Sequence, residues 1–311
     1  MTLVVGAQNN DYALQVSDRR LTAEDGSAID EESNKLFLLE SDACRFIVGY
    51  SGLARLNGPG GFETKDWLAT ILRDTGPPDY NPDGIIDRLR DAATRKFATR
   101  SVCRLTPAAR LLSIMLTGFV YTTTGPLVAY CMITNYQDYE RGDDDKEPWP
   151  EFRAWWKVLQ NPVRPAWSIQ RIGFWRRFGP AQVAAVKVLV ADRRPAEAVV
   201  GKTVELIREI SGPAGSRSPV GRQLMSAVIS SNRAEGSRFA YHTDVQQMTD
   251  HAPALIISRS DFRGPIVVGG TLTATDSNGK PIVVAYPKQP RNQLCACGSG
   301  QKFKRCHAGE T

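Results

Sequence analysis

Thr2-Leu3-Val4-Val5-Gly6-Ala7-Gln8-Asn9-Asn10-Asp11-Tyr12-Ala13-Leu14-Gln15-Val16-Ser17-Asp18 is the stretch whose reading decides the fold. Leu3 to Ala7 is apolar and partly β-branched, Asn9-Asn10-Asp11 is turn chemistry, and Tyr12, Leu14 and Val16 then alternate onto one face. That pattern predicts a β-hairpin. With its turn centred on Asn10, paired positions sum to about 20, so Thr2 lies across from Asp18 to within a residue. Removal of Met1 would make Thr2 the first residue. A terminal threonine can use its hydroxyl as a nucleophile and its own α-amine as the base, because an α-amine titrates near pH ~8.

A second hairpin is predicted from Lys35-Leu36-Phe37-Leu38-Leu39, a turn at Ser41-Asp42-Ala43, and a return from Cys44 to Val48. Centred near Asp42, it sets Lys35 opposite Gly49, and the loop Tyr50-Ser51-Gly52-Leu53-Ala54 leaves from the same end. Pairing alone does not say whether the two hairpins lie together.

Thr2, Asp18 and Arg20, Lys35, and Gly49-Tyr50-Ser51-Gly52 resemble the proteasome β-subunit branch of the N-terminal nucleophile (Ntn) hydrolases. The resemblance is specific over residues 2 to about 56 and architectural to about 287. It implies that Thr2 Oγ attacks a carbonyl carbon and that the Thr2 amine takes the proton. Lys35 would favour the alkoxide, Asp18 would orient and ionise Lys35, and the Gly52 N–H would hold the oxyanion. Arg20, Tyr50 and Ser51 fall at the substrate pocket by the same resemblance, with Arg20 bracing Asp18. An ordinary ion pair at strand ends is the competing account of Asp18 and Lys35. A late serine and aspartate of the family pattern have no clear counterpart; Glu209, Ser211 and Ser218 are the candidates, in an expected loop.

The tail carries a second signal. Cys295-Ala296-Cys297-Gly298-Ser299-Gly300 is followed by Cys306-His307, which puts three cysteines and one histidine within thirteen residues. This donor set suits a closed, tetrahedral, structural Zn2+ site, and the glycines supply the turn. It is similar to the SEC-C motif, known from the tail of the SecA translocation ATPase. A module this short has almost no core, so metal would supply its folding energy. Relatives of the motif use it for docking, which implies a protein partner here. Lys302, Lys304 and Arg305 leave nucleic acid open as a partner.

Elsewhere the spacing predicts helices over Glu63 to Leu72, Asp83 to Phe97 and Pro195 to Ile210. Strands are expected at Leu111 to Val120, Leu127 to Thr134, Leu224 to Ser230, Ala254 to Ser258 and Ile266 to Val268, with a hairpin over Thr271 to Tyr286. The fold class is therefore α+β, a four-layer αββα sandwich over residues 1–287, with linker and zinc module at 288–311. Residues from about Asp138 to Arg177 hold five of the six tryptophans and read as an inserted helical flap, a lid or partner surface. Cys44, Cys103 and Cys131 read as single buried hydrophobes in strands.

The 311 residues are 42% hydrophobic and 23% charged, with a net charge of +6, ordinary values for a globular chain. No apolar run reaches the ~18 residues of a membrane span, and no signal peptide is evident. The expectation is a cytoplasmic, homo-oligomeric threonine hydrolase acting on a peptide or amide bond without a membrane partner. Its rivals are an inactive scaffold that binds through the zinc tail and the tryptophan-rich segment, and a small-amide amidohydrolase.

Overall fold

The computed structural model describes residues 2–22, 27–30, 33–58, 60–74, 81–145, 147–159, 166–213 and 218–243, and beyond them the strands 255–258, 266–268, 273–275 and 281–283. The first hairpin pairs β1 (Leu3–Asn9) with β2 (Tyr12–Asp18). Its register is one residue from the expected one: Val4 faces Ser17 and Gln8 faces Ala13, so Leu3 rather than Thr2 comes level with Asp18. The cause is local. Asn9 Oδ1 accepts the N–H groups of Asp11 (2.9 Å) and Tyr12 (3.1 Å), which tightens the loop to Asn10-Asp11. The second hairpin, β3 (Leu36–Ser41) with β4 (Cys44–Gly52), shifts likewise, because Ser41 Oγ accepts the Cys44 N–H (3.1 Å). Leu36 therefore faces Gly49.

These hairpins belong to different sheets. Helices α1 (Thr64–Asp74) and α2 (Pro82–Phe97) follow, then β5 (Leu112–Thr122), β6 (Gly125–Thr134), β7 (Arg153–Leu159) and β8 (Trp167–Gly173). Next come α3 (Pro180–Ala191), α4 (Ala196–Ser211), β9 (Leu224–Ser230) and β10 (Arg238–His242). The chain closes with β11 (Leu255–Ser258), β12 (Ile266–Val268), β13 (Thr273–Thr275) and β14 (Pro281–Val283). One sheet runs β8-β1-β2-β9-β10-β13-β14, the other β7-β6-β5-β4-β3-β11-β12.

Side-chain alternation along β1 shows how the layers stack. Leu3, Val5 and Ala7 pack with Val186, Val190 and Val199 of α3 and α4. Val4 instead packs with Leu38, Ile47 and Met115 of the opposite sheet. On the far side of that sheet, Phe46, Val48 and Leu116 pack with Ile85, Leu89 and Ala93 of α2. The order is helices, sheet, sheet, helices, which is the αββα sandwich expected from the sequence.

Three expectations fail. The described residues of 138–177 form no helical flap: β7 and β8 are edge strands of the two sheets, and Trp175–Arg177 form one 3-10 turn. Trp155 packs there against Tyr139 (5.3 Å) and Trp149 (6.1 Å). Cys103 ends a short helix, Arg100–Cys103, and is exposed, whereas Cys44 and Cys131 are buried. Helix α3 was not expected at all, because Pro180 to Ala191 is apolar nearly all round and shows no helical stripe.

On β10, His242 Nε2 sits 2.9 Å from Ser226 Oγ of β9, and burial pushes its imidazole pKa down to about 4. The folded chain therefore keeps His242 neutral where an unfolded chain, with a pKa near ~6.5, already binds a proton. Stability that is intact above pH ~6.5 should fall as pH drops towards ~4, by up to on the order of 3 kcal/mol. Urea titrations across that range should show this slope, and His242→Asn should flatten it.

Candidate active site

Thr2 precedes β1 with the inward parity of Val4, so its side chain enters the space between the sheets. It is 4% exposed. Lys35, just before β3, enters from the opposite sheet and is fully buried. Lys35 Nζ donates to Thr2 Oγ1 (2.5 Å) and to the carbonyl of Arg20 (2.5 Å), and lies 3.6 Å from Asp18 Oδ2. An ammonium has three N–H groups and here meets three oxygens. Burial pushes the Lys35 pKa below the usual lysine range, with Asp18 pulling it back up.

Asp18 is itself fully buried and is held by backbone donors. Its Oδ1 accepts the Leu3 N–H (2.8 Å) and its Oδ2 the Gly221 N–H (3.1 Å). Leu3 takes this role because of the one-residue register shift. Arg20 directs Nη1 to the Ser218 carbonyl (2.6 Å) and offers its own carbonyl to Lys35, so its place is behind the site.

Ser51 Oγ donates to the Thr2 carbonyl (2.8 Å) and fixes the chain at the nucleophile. Tyr50, the next residue along β4, points to the other face. It is 1% exposed and packs beside Phe37 (6.2 Å) in the helix-side core, so it is not brought to Thr2. Tyr50 N–H donates to the Lys35 carbonyl (3.3 Å), and Leu53 N–H to the Leu111 carbonyl (2.8 Å). Because strand N–H groups alternate sides, the Gly52 N–H faces the same edge as that of Tyr50, the edge bearing Lys35.

Two glycines are required by crowding. Gly52 has φ 116°, and a Cβ there would overlap the Leu111 carbonyl. Gly173, at the end of β8, has φ 81°, and a Cβ there would overlap the Thr2 carbonyl and Ser51 Oγ.

The late candidates fall elsewhere. Glu209 and Ser211 lie in α4 rather than in a loop, and Ser211 Oγ donates to the carbonyls of Ile207 (2.8 Å) and Gly221 (2.9 Å). Ser218 contributes its carbonyl to Arg20. Sequence reasoning missed Gly221, Gly173 and Arg19. Arg19 is 1% exposed, its guanidinium lies 4.4 Å over the Tyr241 ring, and Tyr241 OH donates to Asn34 Oδ1 (2.7 Å) beside Lys35. The doubled arginine at 19–20 was its only trace in the sequence.

The tail cysteines Cys295, Cys297 and Cys306 and His307 lie outside the described residues. Among the described residues, no three His, Cys, Asp or Glu side chains come close enough to hold a metal ion. None of the described helices is long and apolar enough to cross a membrane. A groove of ≈ 610 Å³ lies at the turn end of the first hairpin beside Asp11, Tyr12 and Arg238, away from Thr2.

Residues 291–309 match the SEC-C motif. A 34-residue stretch, 11% of this chain, is 50% identical to the protein translocase subunit SecA of Chlorobium luteolum (strain DSM 273 / BCRC 81028 / 2530), and the match spans 3% of that protein. Among solved structures, Anbu (ancestral beta-subunit) from Yersinia bercovieri is similar at TM-score 0.46 and 11% identity, over 74% of this chain and 81% of that one. Eukaryotic HslV from Trypanosoma brucei is similar at TM-score 0.37 and 14% identity, over 73% and 99% of the two chains. An Anbu (Gly-1) mutant from Hyphomicrobium sp. strain MC1 is similar at TM-score 0.42 and 12% identity, over 74% and 82%. The chain thus resembles SecA in its tail motif and Anbu and HslV in its body.

Proposed function

We propose that this chain is a threonine-type Ntn hydrolase that cleaves an amide or peptide bond once removal of what precedes Thr2 frees its α-amine. The observation that carries this reading is the buried contact of Lys35 Nζ with Thr2 Oγ1 (2.5 Å). A charged group with three acceptors, one of them a hydroxyl at the chain's first strand, favours loss of that hydroxyl's proton. Thr2 Oγ attacks the substrate carbonyl carbon, and its proton passes to the α-amine. The Gly52 N–H holds the oxyanion that forms. The C–N bond then breaks, the leaving nitrogen takes the proton from the amine, and an ester remains on Thr2. Water, losing a proton to the same amine, releases the acid and restores the hydroxyl. Asp18 keeps Lys35 in place and charged, and Ser51 fixes the Thr2 backbone.

Cys295, Cys297, Cys306 and His307 are suited by donor type to hold structural Zn2+, with all four positions filled by protein and none open for catalysis. When bound, the ion folds the tail. The tail is proposed to dock a protein partner, in a reducing compartment such as the cytoplasm, where the thiols stay free. Exposed Val188 (58%) and Trp167 (36%) mark the face proposed for self-association. A non-catalytic scaffold is the second reading, favoured by the low exposure of Thr2.

Intact mass should show a chain starting at Thr2 and, after treatment with a β-lactone acylating probe, one adduct per chain. Thr2→Ala should fold and take no adduct. A chain that retains Met1 would point to the scaffold.

Lys35→Ala should slow acylation by on the order of 10²-fold or more, because it removes the charge that favours the alkoxide. Lys35→Arg should not restore the rate, since a planar guanidinium cannot occupy the compact ammonium position. An unchanged rate in Lys35→Ala would reduce the lysine to a structural role.

Metal analysis should find one Zn2+ per chain, lost in Cys295→Ser. Chelation should expose the tail to protease near Pro290 and leave the main thermal transition in place, because the body buries a core of its own.

A further inference from the structure

A cleft of ≈ 210 Å³ opens between β6 and β8, where the two sheets part at one side of the sandwich. Its walls are Tyr130, Met132, Tyr139, Ile169, Gln170 and Trp175. Gln170 stands opposite Gly6 in register and is 5% exposed. Its Oε1 is buried and has no hydrogen-bond partner among the described residues. A buried amide oxygen left in that state is destabilising, and a ligand N–H would satisfy it.

The carboxylates of the cleft are already matched. Asp144 accepts from Trp175 Nε1 (2.9 and 3.0 Å) and from Gln137 Nε2 (3.3 Å), and pairs with Arg176 (3.3 Å). Asp138 pairs with Arg141 (2.8 Å), Asp143 with Arg176, and Arg171 donates to the Phe178 carbonyl. A cationic ligand would lose hydration without finding a free carboxylate, and the Arg171 guanidinium is turned to the Phe178 carbonyl. A neutral amide fits better, its N–H donating to the Gln170 carboxamide oxygen.

We infer that this cleft binds a neutral amide group on an apolar stem, carried by the substrate that reaches Thr2. This rests on the hydrolase reading above. From Gln170 to Gly173, which abuts the Thr2 carbonyl, β8 advances three residues, about 10 Å. Ser51, bonded to that carbonyl, faces Ser113 in register, and Ser113 Oγ donates to Gln137 Oε1 (2.6 Å), which also takes the Tyr139 hydroxyl (2.8 Å). The site and the cleft are thus two ends of one rigid wall. A substrate spanning both carries at least two amides, which selects a peptide over a lone small amide.

The test titrates full-length, isotope-labelled protein with butyramide, n-butylammonium and butyrate, following the side-chain amide signal of Gln170 and the indole signal of Trp175. Butyramide should shift both signals saturably at millimolar concentration and the two ions should not. Gln170→Leu, which replaces an unmatched amide by an isosteric apolar group, should fold and should weaken the Trp175 response about tenfold. Among acylating peptide probes, those with a second amide about 10 Å from the reactive carbonyl should acylate Thr2 fastest, and Gln170→Leu should abolish that advantage. Equal binding of either ion, an unchanged response in Gln170→Leu, or occupation of the cleft by water alone at saturating butyramide would overturn the inference. Butyramide binding with no acylation by any probe would instead leave the cleft standing and remove the hydrolase reading.

Discussion

A buried ammonium is costly unless its hydration is replaced atom for atom. Lys35 meets that demand with Thr2 Oγ1, the Arg20 carbonyl and the Asp18 carboxylate, all from the sheet opposite its own strand. The two sheets must therefore come together at this end with the right offset. Their closeness explains why Gly173 carries no side chain and why Ser51, a small donor, stands beside Thr2. Asp18 could not serve if it were loose, and the N–H groups of Leu3 and Gly221 fix both its oxygens.

Local signals in the sequence led to the two hairpins and the helices α1, α2 and α4. They missed the pairing register by one residue in each hairpin. The deciding contacts were side chain to backbone, Asn9 to Asp11 and Tyr12 and Ser41 to Cys44, and turn composition does not reveal which atom will accept. The misreading of 138–177 has a different origin. Trp155 and Trp156 are adjacent, so they face opposite ways on β7, and their bulk hid the alternation of an edge strand that is only half buried. Helix α3 failed in the opposite sense, having too many apolar residues to show a stripe.

Of the candidate site, Thr2, Asp18 and Lys35 were singled out because each stands at the end of a predicted strand, and the resemblance to Ntn hydrolases set them together. Gly221, Gly173 and Arg19 were not. The contact of Gly221 with Asp18 joins residues 203 apart, and a single sequence carries no local trace of such pairing. Tyr50 was misplaced for a simpler reason: one position along a strand is one change of face.

The place of β1 between β2 and the edge strand β8 also orders events in time. Its neighbours are β2, next in sequence, and β8, some 160 residues later; β2 in turn waits for β9, beyond residue 223. At about 5–20 residues per second, synthesis reaches β8 roughly 10–30 s after β1 has been made. Until then one edge of the first strand has no partner, and the Thr2 end lacks the Gly173 wall. The peptide bond ahead of Thr2 is thus most open to an aminopeptidase during synthesis, before long-range pairing closes over it.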